Sequence, residues 1–343
     1  MGRVSRAVVL AAGKGTRLPL GLPKVLTPIA GRPMIRYLLD TLGDLFPPEQ
    51  TLLVIGHRAG EVRAALGDSY RYVFQEEQLG TGHALAVCRS ALEPDANVLV
   101  VGGDTPLVKA ETLRQLVAHH EATGADITIL TCLGGNPAGM GRVLRDAAGR
   151  VVGVVEEREA EPRQRRIPEW NTGIYALNLG PLWAGLASLP RAANGEYYLT
   201  KLVGWAAQRG LRVEDLTVFD SEEVLGINTA ADLLRAERQV FAGVRAALLE
   251  QGVRIIGSDA VWVEPSVEVG AGSVLLPLTY LGGKTRVDPG CRIGPRAVLL
   301  DCEVGAGSWV RDTFLEGCRV EPGTRIPADP GGQGGQEAGI LSL

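Results

Sequence analysis

Val263, Val269, Leu275, Leu281, Val287, Ile293 and Leu299 recur at a strict interval of six residues, a period that suits neither an α-helix nor an alternating strand meander. The series runs on through Val304, Val310, Leu315, Val320 and Ile326 at intervals of five or six. Glycine often follows the apolar residue, as in Val269-Gly270, Leu281-Gly282 and Ile293-Gly294. A hexapeptide period with three repeats to a coil predicts a short left-handed parallel β-helix over 252–326, stacked in about four coils.

The rest of the 343 residues read differently. From Thr229 to Gln251, Leu233, Leu234, Val240, Phe241, Val244, Leu248 and Leu249 supply a broad apolar face, and Gly252 ends the run. This predicts a connecting helix over 228–251. Over 1–227, short apolar runs alternate with helical patterns. The runs are Ala7 to Leu10, Thr51 to Ile55, Tyr70 to Gln75, Val98 to Val101, Ile127 to Cys132, Val151 to Glu156 and Ile174 to Leu177. That alternation predicts an α/β domain, Rossmann-like, with a mostly parallel sheet. Residues 327–343 are rich in glycine, proline and glutamine and are expected to form a disordered tail.

A net charge of -4 argues against a general nucleic-acid binder or a membrane-surface protein. No apolar stretch reaches membrane-spanning length, and the N-terminal run lacks the h-region of a signal peptide. Cys88, Cys132, Cys291, Cys302 and Cys318 are odd in number and lack metal-ligand spacing, so reduced thiols and a cytoplasmic location are expected.

The first apolar run leads directly into Leu10-Ala11-Ala12-Gly13-Lys14-Gly15-Thr16-Arg17, with Leu22-Pro23-Lys24 close behind. Glycines let a backbone turn its N–H groups toward a polyphosphate, and Lys14, Arg17 and Lys24 can match its charge. The dinucleotide fingerprint is excluded, because Leu18 stands where its third glycine belongs. A P-loop is excluded too, because only Lys14 separates Gly13 from Gly15, which leaves a phosphate loop of another kind or a plain glycine-rich strand-to-helix turn with an ordinary basic residue.

Further candidates lie beyond the later runs. Gln75-Glu76-Glu77-Gln78-Leu79-Gly80-Thr81-Gly82-His83 offers amides, which donate and accept at once as a nucleobase edge requires, or else a polar helix cap. Asp104, after Val98-Leu99-Val100-Val101-Gly102-Gly103, stands where a parallel sheet presents a magnesium ligand, or it caps the helix that follows. Asn228 is either a second ligand or the N-cap of the connecting helix. Gly141, Glu156 and Asn171 bring backbone, carboxylate and amide partners suited to a sugar. Tyr198 and Thr200, in Gly195-Glu196-Tyr197-Tyr198-Leu199-Thr200, add an aromatic edge and a hydroxyl, or else Tyr197 and Tyr198 belong to the core.

In this order the segments LAAGKGTRL, LPKVL, QLGTGHA, GDTPL, GRVLRD, VVEERE, NTGIY and GEYYLT resemble the bacterial bifunctional N-acetylglucosamine-1-phosphate uridyltransferase/glucosamine-1-phosphate acetyltransferase family. The resemblance covers the uridyltransferase half and the first coils of the β-helix, from about Val8 to Ile326. It implies that Leu10, Ala11, Ala12, Gly13 and Gly15 meet the nucleotide and that Arg17 and Lys24 act on its phosphates. Gln75, Gly80 and Thr81 would read uracil, Asp104 and Asn228 would hold Mg2+, and Gly141, Glu156, Asn171, Tyr198 and Thr200 would bind the sugar. The implied reaction joins UTP and N-acetylglucosamine 1-phosphate, and the implied assembly is a trimer through the β-helix.

This chain departs from that family in several places. The only histidines are His57, His83, His119 and His120, none of them in the β-helix, so acetyl transfer is not expected. Met140 stands where the family commonly has tyrosine, and Lys201 where an aspartate commonly follows GEYYLT. Glucose 1-phosphate as acceptor, another donor such as dTTP, a hexapeptide acyltransferase and a non-catalytic regulatory subunit are the alternatives.

Overall fold

The computed structural model describes residues 3–18, 21–327 and 340–342. The chain forms two compact units, Met1–Thr27 with Pro33–Leu233, and Pro28–Arg32 with Leu234–Leu343.

The first unit is built on a nine-stranded sheet. Its main path runs Val213–Val218, Ile127–Leu133, Glu169–Asn178, Asn97–Gly102, Val4–Leu10, Thr51–Ile55, Arg71–Phe74. Six of these seven strands point one way and Glu169–Asn178 runs against them, so the sheet is mixed rather than purely parallel. Alternate residues of each strand supply cores on opposite faces. Val8, Val98, Val100, Leu52 and Val54 pack on one face with the helices Leu179–Ala187 and Thr200–Gln208. Ala7, Val9, Leu53, Leu99 and Val101 pack on the other with Met34–Gly43 and Ala110–Thr123.

Two strands are absent from the sequence reading. Arg142–Arg145 pairs with Val151–Val155 and touches Glu169–Asn178, and Val213–Val218 extends the sheet beyond Ile127–Leu133. Neither has an apolar run: all six residues of Val213–Val218 are half-buried. Arg145 ties both regions together, with its guanidinium donating to Glu169 and Asp215.

The second unit holds most of the long helix Ala230–Glu250, and then a three-sided stack of short parallel strands. The helix buries less of its apolar face than its sequence suggests, since Leu234 and Leu249 are exposed and Ala236 and Leu248 are its buried residues. Gly252, at φ +84°, ends it as the sequence predicts. In the stack, Val263, Leu281 and Leu299 lie in register on one side, Val269, Val287, Val304 and Val320 on the next, and Leu275, Ile293, Val310 and Ile326 on the third. All are buried. The six-residue period is thus the repeat of a parallel β-helix. Its corners need left-handed backbone, supplied at Leu278, Arg296 and Asp312 and again at Gly283, Asp301 and Gly317, with φ between +51° and +66°.

Inside this unit the buried carboxylate of Glu264 accepts the Tyr280 hydroxyl at 2.5 Å and the Gly283 N–H at 2.8 Å. Gly31, at φ +76°, packs against it so closely that a Cβ there would overlap the carboxylate. At the far end the expectation of disorder from 327 onward is corrected for Ile340–Ser342. These residues form a strand antiparallel to Cys318–Val320, using main-chain groups that the last coil leaves available. Residues 328–339 lie outside the described residues.

Candidate active site

The glycine loop leaves the sheet at its central strand. Val4–Leu10 is flanked in parallel by Thr51–Ile55 and Asn97–Gly102, whose connections depart in opposite directions along the sheet. Ligands of open α/β sheets sit in the crevice that this reversal makes beyond the carboxyl ends. Neighbouring strands hold the loop there: Ala11 N–H donates to Val54 at 2.8 Å, His57 N–H to Ala12 at 3.2 Å and Gly103 N–H to Leu10 at 2.9 Å. Ala11 and Ala12 are buried, whereas Gly13, Lys14, Thr16 and Arg17 are exposed. Gly15 has φ +62°, and a Cβ on it would stand 2.6 Å from Lys24 Cβ, so only glycine lets the loop lie on this lysine.

Four side chains from distant parts of the chain meet beside this loop. The Lys24 ammonium pairs with the Asp104 carboxylate and donates to Asn228 Oδ1 at 2.8 Å. Arg17 donates to the same oxygen at 2.8 Å. Asn228 Nδ2 donates to the Gly226 carbonyl at 3.1 Å, which sets the amide so that Oδ1 faces the cations. The main chain locks the arrangement, because Ile227 N–H donates to the Asp104 carbonyl at 2.9 Å. Asn228 is therefore not spent as a helix cap. Asp104 and Asn228 present two hard oxygen donors to one cationic group, which fits Mg2+ held by few protein oxygens together with substrate phosphates. Among the described residues no group of three or more His, Cys, Asp or Glu converges as a dedicated cage would require.

Gln75 is buried, and its Nε2 lies 3.2 Å from the Gly80 carbonyl and 2.9 Å from His83 Nδ1. Gln78, not singled out from the sequence, donates to the carbonyls of Gln75 and Glu76. Ala12 borders this loop, since a Cβ on Gly56 would stand 3.0 Å from Ala12 Cβ and 2.8 Å from the Gln75 carbonyl. The other side of the loop is zipped to the GEYYLT segment. Tyr197 N–H donates to Leu79 at 2.7 Å, Gly82 N–H to Tyr197 at 2.8 Å and Leu199 N–H to Thr81 Oγ1 at 3.1 Å.

That segment in turn meets the remaining candidates. Thr200 donates its hydroxyl to Glu156 Oε1 at 2.7 Å, while burial pushes the Glu156 carboxyl above its ordinary range. Asn171 N–H donates to Gly141 at 2.9 Å, and Asn171 Nδ2 donates to the Tyr175 hydroxyl at 2.7 Å. Asn171 Oδ1 is buried with no hydrogen-bond partner, an orphaned acceptor of the kind a ligand donor would satisfy. A Cβ on Gly141 would stand 3.8 Å from Glu156 Oε1. Because Tyr175 pairs opposite Val100 in antiparallel register, Asn171 runs toward the same sheet end as Asp104. Tyr198 is half-buried, and burial raises its phenol. The sequence reading missed Tyr175 and Arg142. Arg142 is buried, donates to the Met140 carbonyl and, at 3.2 Å, to Glu157, and so braces the turn that carries Gly141. Lys201 forms an ion pair with Glu159.

Clustered cations, paired hard oxygen donors and a polar pocket lining thus surround one sheet crevice, and residues 7–170 match the MobA-like NTP transferase domain. The chain is 40% identical over 316 residues to the bifunctional protein GlmU of Heliobacterium modesticaldum, covering 92% of this chain and 69% of that protein. It is 37% identical over 340 residues to GlmU of Brevibacillus brevis, covering 97% and 74%. The chain belongs to the GlmU family and is a sugar-1-phosphate nucleotidyltransferase of the UDP-N-acetylglucosamine pyrophosphorylase type. A solved UDP-glucose pyrophosphorylase complexed with UDP-glucose shares the fold, with a TM-score of 0.60 at 16% identity over 70% of this chain and 99% of that one. Among the described residues no helix is long and apolar enough to cross a membrane.

Proposed function

We propose that the protein transfers a uridylyl group from UTP to N-acetylglucosamine 1-phosphate, giving UDP-N-acetylglucosamine and pyrophosphate. The observation that carries this reading is the meeting of Arg17, Lys24, Asp104 and Asn228 beside the glycine loop. A sugar 1-phosphate is largely dianionic near neutral pH, because its second pKa is about 6, so its oxygen attacks without a strong general base. A new bond forms from that oxygen to the α-phosphorus, the α–β bridging bond breaks, and pyrophosphate leaves with the electron pair. The protein's task is in-line placement and charge neutralisation. Lys24, Arg17 and the backbone of Leu10 to Gly15 neutralise the triphosphate, while Gln75, Gly80 and Thr81 read the base. Gly141, Glu156 and Asn171 seat the sugar, with the orphaned Asn171 Oδ1 accepting one of its donors, and Tyr198 and Thr200 border it. Asp104 and Asn228 would hold Mg2+, which when bound supplies further neutralisation of the phosphates.

A panel of UTP, dTTP and other triphosphates against N-acetylglucosamine 1-phosphate and glucose 1-phosphate, read by pyrophosphate release, tests this. A higher kcat/KM with glucose 1-phosphate would replace the acceptor. The reading includes no acetyl transfer, because this chain has no β-helix histidine. It also includes trimerisation through the β-helix and a cytoplasmic setting, the latter supported by five free thiols, four of them buried.

A further inference from the structure

We propose that Asp232 is a positioning residue for Asn228, fixing the amide oxygen of the magnesium pair from the first turn of the connecting helix. The inference rests on the reading above for what Asn228 does, and on the hydrogen bonds of residues 226–232 for how it is held.

A helix start normally takes its cap from the residue that precedes it, and an Asn at that point would turn its own oxygen back onto the helix N–H groups. Here the duty is divided otherwise. Thr229 is the cap, its Oγ1 accepting the Asp232 N–H at 3.2 Å, and Asp232, three residues on, reaches back. Asp232 Oδ2 accepts the Thr229 N–H at 2.8 Å and the Thr229 hydroxyl at 2.8 Å. It also accepts the Asn228 N–H at 3.0 Å, one residue beyond the ordinary reach of this motif. Three donors thus converge on this one carboxylate oxygen. The main chain of Asn228 is thus held from the helix side by Asp232 and, through Ile227, by Asp104. With both N–H groups satisfied, the Asn228 side chain is free to take the Gly226 carbonyl with Nδ2 and to present Oδ1 to Lys24 and Arg17.

Partners that orient a metal ligand typically change metal affinity by about 10–100-fold when removed. Two measurements follow this: the Mg2+ concentration giving half-maximal turnover, and Mn2+ binding read by paramagnetic resonance with UTP present and no sugar phosphate. Asp232→Ala is expected to weaken Mn2+ binding and to raise the Mg2+ requirement about tenfold or more, with kcat at saturating Mg2+ within about threefold of the parent protein. Asp232→Asn keeps an acceptor oxygen and is expected to recover most of the loss. Thr229→Ala removes a cap hydroxyl and is expected to lower the melting temperature, yet to leave the metal constants within about twofold. Unchanged metal constants in Asp232→Ala, or an equal shift in Thr229→Ala, would overturn the positioning role. If the parent protein binds Mn2+ with UTP but does not use N-acetylglucosamine 1-phosphate, the acceptor assignment fails and the role of Asp232 is still decided by the Mn2+ arm. If it binds no Mn2+ with UTP, both fall.

Discussion

Replacing Lys24 with alanine removes the ammonium that bridges Asp104 and Asn228, and its effect on rate can be set apart from its effect on folding. The Lys24 side chain is 12% exposed and that of Asp104 28%, so their pair is shielded from bulk water without being sealed. At about 4 Å and an effective dielectric near 20, one ammonium and one phosphate charge interact by about 4 kcal/mol. Loss of a single preorganised donor to transition-state charge costs about 2.7–4 kcal/mol, equivalent to about 10²–10³ in kcat. The pair's contribution to folding is smaller, about 1 kcal/mol, because Asp104 regains water when the ammonium goes. The assay is pyrophosphate release at saturating UTP and N-acetylglucosamine 1-phosphate, run beside a urea titration. A kcat within tenfold of the parent would refute the placement of Lys24 on the reacting phosphates. A fall in kcat matched by a loss of several kcal/mol of stability would refute the separation of the two roles.

Gly15→Ala places a Cβ 2.6 Å from Lys24 Cβ at a φ of +62°, so it should displace Lys24 and lower kcat about tenfold or more while the β-helix melts as before. Gly31→Ala meets the Glu264 carboxylate at a φ of +76°; urea unfolding should show a loss of about 2–4 kcal/mol, part of it recovered on adding Glu264→Ala. Burial pushes the His120 imidazole from its ordinary 6.5 down to about 4. The unfolded chain therefore binds the extra proton first, and the stability held above pH 6.5 is lost as pH falls toward 4, by roughly 2 kcal/mol between pH 7 and 4.5. In His120→Gln that part of the pH slope should vanish from the urea midpoints, and equal slopes would contradict the buried neutral ring. With acetyl-CoA and glucosamine 1-phosphate, coenzyme A release should stay at background; acetylated product would contradict the proposal that this chain transfers no acetyl group.

Much of the fold is written locally. One inward side chain per strand fixes the β-helix, because a slip of one residue would put Val287 or Ile293 into water. The strands Thr51–Ile55 and Ile127–Leu133 are buried along most of their length and so appear as plain apolar runs. Val213–Val218 lies at the edge of the sheet, half-buried throughout, and the adjacent carboxylates of Glu214 and Asp215 hide it. The closing strand Ile340–Ser342 gives no period at all, since it adds to an edge and runs against the stack. Within the site, the phosphate loop is legible because its glycines and cations are contiguous. The union of Lys24 with Asp104 and Asn228 is not, since sequence separations of 80 and 204 lie between them and only the sheet brings them together. The reach of Asp232 lies between these cases: the spacing Thr229-x-x-Asp232 is visible as a capping box, but its hold on Asn228 shows only in three dimensions.

Gly80 sharpens the distinction between the residue a motif displays and the reason it is there. Read along the chain, a glycine among glutamines suggests room for a nucleobase against the backbone. In the folded protein its φ is +93°, and a Cβ would stand 2.7 Å from the Tyr197 carbonyl and 3.0 Å from the Tyr197 nitrogen. The close approach it permits is that of the chain's own GEYYLT segment, whose main chain then zips to Leu79 and Gly82. Tyr197 packs against the core cluster while its neighbours Leu199 and Thr200 reach Thr81 and Glu156. The loop assigned to the base and the segment assigned to the sugar are therefore one hydrogen-bonded body. Any side chain at residue 80 would move both, so Gly80→Ala should raise KM for the sugar phosphate as well as for UTP, and an effect confined to UTP would show that the two loops move independently.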